Sequence, residues 1–293
     1  MAKTVTVFGA TGTSGGGAAR KLAAAGWTVR GITRDTAGDK ARAAAEQGIT
    51  LFAADLDDRA SIRKAIEGAD AVYFAGPSLL NRWDIGQAVQ GINAVDAAIE
   101  VGMPHFVYQS ALTGDARGYL SVGSKRAIEE RIAETELPVT ILQPAWFMDN
   151  FLNYFPINEQ DGKLVIAMAI PVDKVNGLIS AEDIGNAAAA VITNPHTYIG
   201  RTIDLTADIG SPADMARIIG EEVGKDAVAV EVPLEAIAQH WPEGYDLYKW
   251  LSTRPTQDDP GSLTALIGKP LDFRHWVRLK LAPGLREKFG VAA

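Results

Sequence analysis

Cysteine is absent from the 293-residue chain, which removes disulfides, thiolate metal centres and a cysteine nucleophile at once. Histidine is scarce. The four present, His105, His196, His240 and His275, are far apart and show no paired ligand spacing, so no metal centre is expected. No apolar run reaches the roughly eighteen residues of a membrane helix, even around the alanines at 187–190, and no membrane partner is expected. The first residues, Met1-Ala2-Lys3-Thr4, lead into a valine-rich segment without the succession of a secretory signal, so a cytoplasmic location is the expectation. Basic charge is in deficit. With 28 Lys and Arg against 36 Asp and Glu, the formal net charge is -8, a balance that repels polyphosphate backbones and argues against nucleic acid as a partner.

What is present is 47% hydrophobic residues, enough for one large core with a smaller satellite lobe. Apolar segments of strand length at 4–8, 28–32, 49–54, 71–75, 105–110 and 139–143 alternate with amphipathic stretches at 15–25, 37–47, 58–67, 85–101 and 121–135. Gly48, Gly68 and Gly102 stand where three of these helices should end in left-handed backbone. Strands separated by helices in this order predict an α/β fold, a doubly wound parallel Rossmann sheet whose ligands sit outside the carboxyl ends of the strands.

After Pro144 the spacing loosens. A hairpin-like stretch is expected at 163–170, strands at 175–179 and 228–232, and helices near 234–241, 245–252 and 273–281. Ser180-Ala181-Glu182-Asp183 and Ser211-Pro212-Ala213-Asp214 read as two helix-capping sequences. The expected division is a dinucleotide-binding domain over 1–150, to which later segments return, and a smaller mixed α/β lobe over 151–293.

The chemistry begins at Gly9-Ala10-Thr11-Gly12-Thr13-Ser14-Gly15. Glycine triplets arise by chance in alanine- and glycine-rich chains, so the context carries the weight: Gly9 directly follows a strand, Gly15 opens a helix, and a second strand returns on schedule. Such a turn brings bare backbone close to a pyrophosphate, while free N–H groups and the helix dipole attract its charge. The second strand ends in Thr33-Arg34-Asp35. An acidic group there would accept from the 2′-hydroxyl of NAD, and an arginine would bind the 2′-phosphate of NADP; both residue types are available, or Arg34 is a solvated residue paired with Asp35. NADP(H) is the favoured cofactor, with NAD(H) the alternative.

The glycine turn, Arg34, Asp55-Leu56 after the third strand, Gln143-Pro144-Ala145-Trp146-Phe147-Met148-Asp149-Asn150-Phe151 and the later Ile179-Ser180-Ala181-Glu182-Asp183-Ile184-Gly185 together resemble the NmrA-like, atypical short-chain dehydrogenase/reductases over nearly the whole chain. The resemblance implies that Gly9, Ala10, Thr11, Gly12, Thr13, Ser14 and Gly15 surround the pyrophosphate and Arg34 the 2′-phosphate. It also implies that Asp55 and Leu56 meet the adenine, and that Ala75, Gly76, Pro77, Pro144 and Lys125 lie on the nicotinamide side. Two departures stand out. The wider superfamily places a tyrosine one helical turn before the lysine, where this chain has Ser121, and Tyr119 lies about 600° around an ideal helix from Lys125. The family pattern usually ends its sixth strand in arginine before the proline, where this chain has Gln143.

These features fit an NADPH-dependent reductase of quinone-like or conjugated acceptors, because hydride delivery to such an acceptor leaves a delocalised anion that needs no strong acid. Lys125 and Ser110 are the candidate catalytic residues, Ser110 as a hydrogen-bond donor. Trp83, Trp146, Phe147, Asn150, Phe151 and Tyr154 are candidates for the substrate pocket, or, for the aromatics, ordinary core. The alternative is a non-catalytic NADP(H)-binding redox sensor acting through a protein partner. Sugar-nucleotide epimerase chemistry shares the fold but normally needs the missing tyrosine.

Overall fold

The computed structural model describes residues 3–76, 86–112, 120–255 and 258–291. Contacts divide the chain into two compact units, one of Met1–Pro144 with Ala181–Asp204 and one of Ala145–Ser180 with Leu205–Ala293. The sequence reading had placed this division at 150/151.

The strands and main helices of the first unit, numbered along the chain, are β1 (Thr4–Phe8), α1 (Thr13–Ala24), β2 (Thr28–Thr33), α2 (Asp39–Glu46), β3 (Thr50–Ala53), α3 (Arg59–Ile66), β4 (Ala71–Ala75), α4 (Gly86–Glu100), β5 (Phe106–Gln109), α5 (Leu120–Ala133), β6 (Val139–Pro144), α6 (Ala181–Thr193) and β7 (Thr202–Leu205). The strands form one sheet in the order β7-β6-β5-β4-β1-β2-β3, with Val5 opposite both Val29 and Ala71 in parallel register. Its central strands are buried except at Thr4, which opens β1 half-buried, because helices cover both faces of a doubly wound sheet. Phe74 lies 5.4 Å from Phe8 and 6.1 Å from Phe106, ring centre to ring centre, and binds three strands into one core. Strand order reverses between β1 and β4, and the crevice outside their carboxyl ends is where such sheets take ligands.

Small residues let α1 and α6 pack closely. A Cβ on Gly17 would stand 2.8 Å from the Ala181 carbonyl oxygen, and one on Gly185 would stand 2.8 Å from the Gly17 backbone. Lys21 and Glu182 form a 3.0 Å ion pair across the same contact.

In the second unit the stretch at 163–170, expected to be hairpin-like in itself, holds one strand, Lys163–Met168, the second arm of a hairpin whose first arm is Ile157–Gln160. The turn between them is Asp161-Gly162, both at positive φ (50° and 79°), the pairing that Asp-Gly favours in two-residue hairpins. That dipeptide was the signal for the upstream arm. Ala227–Glu231 pairs parallel to Lys163–Met168, and Asn176–Ile179 pairs with Trp146–Phe147 and Asp208–Gly210 in a second small sheet. The Ser211 side chain accepts from the Asp214 N–H and the Asp214 carboxylate accepts from the Ser211 N–H, a complete capping box. Among the described residues, no helix is long and apolar enough to cross a membrane.

Candidate functional site

The chain leaves β1 through Gly9 at φ +72°, a conformation that side chains rarely adopt. The Gly12 N–H donates to the Gly9 carbonyl at 2.8 Å and closes the turn. Glycine is required again at 15, where a Cβ would stand 2.8 Å from the Phe8 carbonyl oxygen and closer still to that of Gly9. Helix α1 starts at Thr13 with Gly12 as its cap residue, no side chain capping it and no acidic residue in its first turn. The N–H groups of Thr13, Ser14 and Gly15 therefore lack intrahelical acceptors, and the positive end of the helix dipole is not offset by a local carboxylate. Gly9, Gly12 and Thr13 are exposed and Thr11 is half-buried, so the bend is open on its outer side; Ala10 is buried against Gly31. This arrangement fits a diphosphate.

Ser14 contributes differently from its sequence expectation. Its buried hydroxyl donates to the Gln109 carboxamide oxygen at 2.6 Å, and the Tyr73 hydroxyl donates to the same oxygen. Only the Ser14 backbone N–H is left for an anion. Burial pushes the titration of Tyr73 upward, so the phenol stays neutral. Gln109, a polar residue ending an otherwise apolar strand, was missed in the sequence; that position was its signal.

At the end of β2, Asp35 accepts the N–H groups of Ala37 at 2.8 Å and Gly38 at 3.1 Å, so its carboxylate is committed to the turn before α2. Arg34 is exposed and makes no ion pair with Asp35. Beyond β3, the exposed Asp55 accepts from the Asp57 N–H at 3.0 Å and its own N–H donates to Ser61 Oγ at 3.1 Å. Leu56 packs half-buried on the sheet core while its carbonyl accepts from Asn93 Nδ2 at 3.0 Å. Ala75 ends β4 beside the glycine turn, 3.2 Å from where a Cβ on Gly9 would lie, and half-buried Gly76 follows. Pro77, Trp83 and Tyr119 lie outside the described residues.

On α5, Lys125 is half-buried, and burial pulls its ammonium down to about 8 while the carboxylate of Glu129, one turn further on, acts in the opposite sense. Among the described residues nothing hydrogen-bonds the ammonium or pairs with it. Ser110, just past β5, is fully buried and donates to Glu129 Oε1 at 2.6 Å. Its proton is thus directed at the Glu129 carboxylate, whereas the sequence reading has it donate to the substrate. Gln143 Nε2 donates to the same Glu129 oxygen at 2.7 Å, and Arg126 reaches Oε2 at 3.4 Å. The buried Pro144 ends β6, where its carbonyl accepts from the Leu112 N–H at 3.2 Å.

The aromatic candidates after residue 145 belong to the second unit. Trp146 meets Phe151 edge-on at 5.4 Å and Phe155 at 5.2 Å, and Phe151 continues the cluster to Phe273 at 5.6 Å. Phe151 is buried and serves that unit's core; Trp146 and Phe147 are half-buried, and Tyr154 is 51% exposed. Half-buried Asn150 opens the short helix Asn150–Asn153, and its carbonyl accepts from the Tyr154 N–H at 2.8 Å.

A sequence model described as the NmrA-like family matches residues 1–250. The chain is 29% identical over 257 residues to the NmrA-like family domain-containing oxidoreductase himF of Aspergillus japonicus, covering 79% of this chain and 77% of that protein. It is 26% identical over 237 residues to an NAD(P)H azoreductase of Xenophilus azovorans, covering 80% and 79%. Among solved structures, NmrA, a negative transcriptional regulator, superposes with a TM-score of 0.82 at 21% identity over 100% of this chain and 99% of that one. The NADPH-dependent quinone oxidoreductase QOR2 of Escherichia coli, complexed with NADPH, superposes at 0.79 and 24% identity over 93% and 98%. These two structural likenesses establish a shared fold.

Proposed function

Because the chain belongs to the NmrA-like family, we propose that it is an NADPH-dependent reductase of quinone-like or similarly conjugated small molecules. The observation that carries this reading is Lys125, a half-buried ammonium on α5 with no hydrogen-bond partner among the described residues and serine, not tyrosine, one turn before it. A cation with serine in place of a phenol one turn before it suits an acceptor whose reduced form is a stabilised anion. A reduced nicotinamide, when bound, supplies a hydride; the acceptor then takes a proton from water to complete the two-electron reduction. Lys125 stabilises the developing oxyanion by charge. The backbone amides of Thr13, Ser14 and Gly15 that lack intrahelical acceptors hold the diphosphate and Arg34 holds the 2′-phosphate, a preference for NADP(H) over NAD(H) supported by the engagement of Asp35 in its own turn. The names of the azoreductase and the quinone oxidoreductase support acceptors of this chemical type.

The test follows oxidation of NADPH by a panel of quinones. Turnover that falls at least about tenfold in Lys125→Ala, with NADPH affinity retained, supports the reading. The likeness to a transcriptional regulator favours one other outcome, a redox sensor that binds the cofactor without using it. Tight NADPH binding with no turnover across the panel would select the sensor.

A further inference from the structure

Glu129 joins residues that sequence reasoning treated separately. Its carboxylate is 8% exposed, and one oxygen accepts from both Ser110 and Gln143 while the other faces Arg126. We propose that Glu129 is a positioning residue of the site, anchoring the Ser110 hydroxyl and holding the Lys125 ammonium in its charged form; its consequence for turnover rests on the reductase reading.

Removing solvent from a lysine favours the neutral amine, and a neutral amine offers no charge to an oxyanion. Glu129 lies four residues after Lys125, on the same side of α5, and is the charged group acting against that burial. Its own charge is incompletely met. Arg126 is 42% exposed at its side chain and is shared with Glu130 at 3.6 Å, and Ser110 and Gln143 are neutral. Two other described groups packed around α5 are engaged or neutral: on α4, Asp96 pairs with Arg131 at 2.9 Å and with Arg59 at 3.2 Å, and on β5 the Tyr108 phenol is pushed up by burial and by Glu129 itself. Glutamine at 143 fits this scheme. An arginine there would bring a second full charge to the carboxylate and screen it from Lys125.

The experiment measures the titration of Lys125 in the whole protein by competitive labelling with acetic anhydride across pH, reading the Lys125 peptide by mass spectrometry. In Glu129→Gln, the midpoint is expected to fall by about one pH unit. The alkaline limb of the NADPH:quinone kcat/KM profile should move down with it. Gln143→Arg is the second variant, expected to shift the midpoint in the same direction should Glu129→Gln fail to fold. An unchanged Lys125 midpoint in the folded variants overturns the proposal. A shifted midpoint with no turnover in any protein leaves the charge coupling standing and removes the reductase reading.

Discussion

Lys125 shows how a single group links stability to chemistry. Its ammonium titrates near 8 in the folded chain and near the ordinary lysine value of about 10.5 in the unfolded one, so between these values the unfolded state binds more protons. Folding is therefore penalised by this residue below pH 8, and the penalty is relieved as pH rises. Lys125→Met should stabilise the protein at pH 7, and that gain should shrink between pH 8 and 10.5, as read from urea midpoints of both proteins at each pH. Tyr73 and Tyr108 titrate in the opposite sense at still higher pH, but they are present in both proteins and drop out of the difference. Arg34 makes a cleaner test of cofactor choice. Arg34→Ala should raise the KM for NADPH about tenfold while changing that for NADH less than about twofold, since only the former carries a 2′-phosphate. The sequence offers both Arg34 and Asp35 at this position and favours Arg34 with NADP(H). Two hydrogen bonds from Ala37 and Gly38 to the Asp35 carboxylate support the same proposal.

At the scale of elements, glycines with identical local propensity have opposite consequences. Gly17 lies in the α1–α6 contact, where a Cβ meets the carbonyl oxygen of Ala181 at 2.8 Å, whereas a Cβ on Gly284 in the helix Ala282–Phe289 meets nothing within 4 Å. Gly17→Ala should cost about 1–3 kcal/mol through overpacking. Gly284→Ala should gain about 0.5–1 kcal/mol through helix propensity. Denaturation curves of the two variants check both signs. The periodicity that located the helices says nothing of this difference, because it depends on what the neighbouring element presents at the point of closest packing. The hairpin shows the reverse case: Asp161-Gly162 announced its turn locally, and the upstream arm 157–160 was overlooked because only one of its residues, Ile157, is buried.

For the whole molecule, a ligand that binds only the folded state raises stability by mass action, about 2.7 kcal/mol at one hundred times its dissociation constant. Saturating NADPH should raise the melting temperature by several degrees and NADH by less, measured by calorimetry. Gly15→Ala should lose the NADPH shift, because its Cβ cannot fit beside the carbonyls of Phe8 and Gly9. A wild-type protein with no shift for either dinucleotide would contradict the cofactor assignment.

The first six strands of the main sheet with the helices between them, the glycine turn and the Ser211 cap were legible in the chain itself, because hydrophobic period, left-handed glycines and capping side chains act over a few residues; the seventh strand, Thr202–Leu205, was not. Only the tertiary structure decided what the polar groups do. Ser14 meets Gln109 across 95 positions, and Ser110 and Gln143 meet on Glu129 only where parallel strands and a crossover helix bring them together. Such pairings have no local signature: a buried donor takes whichever acceptor the sheet places beside it.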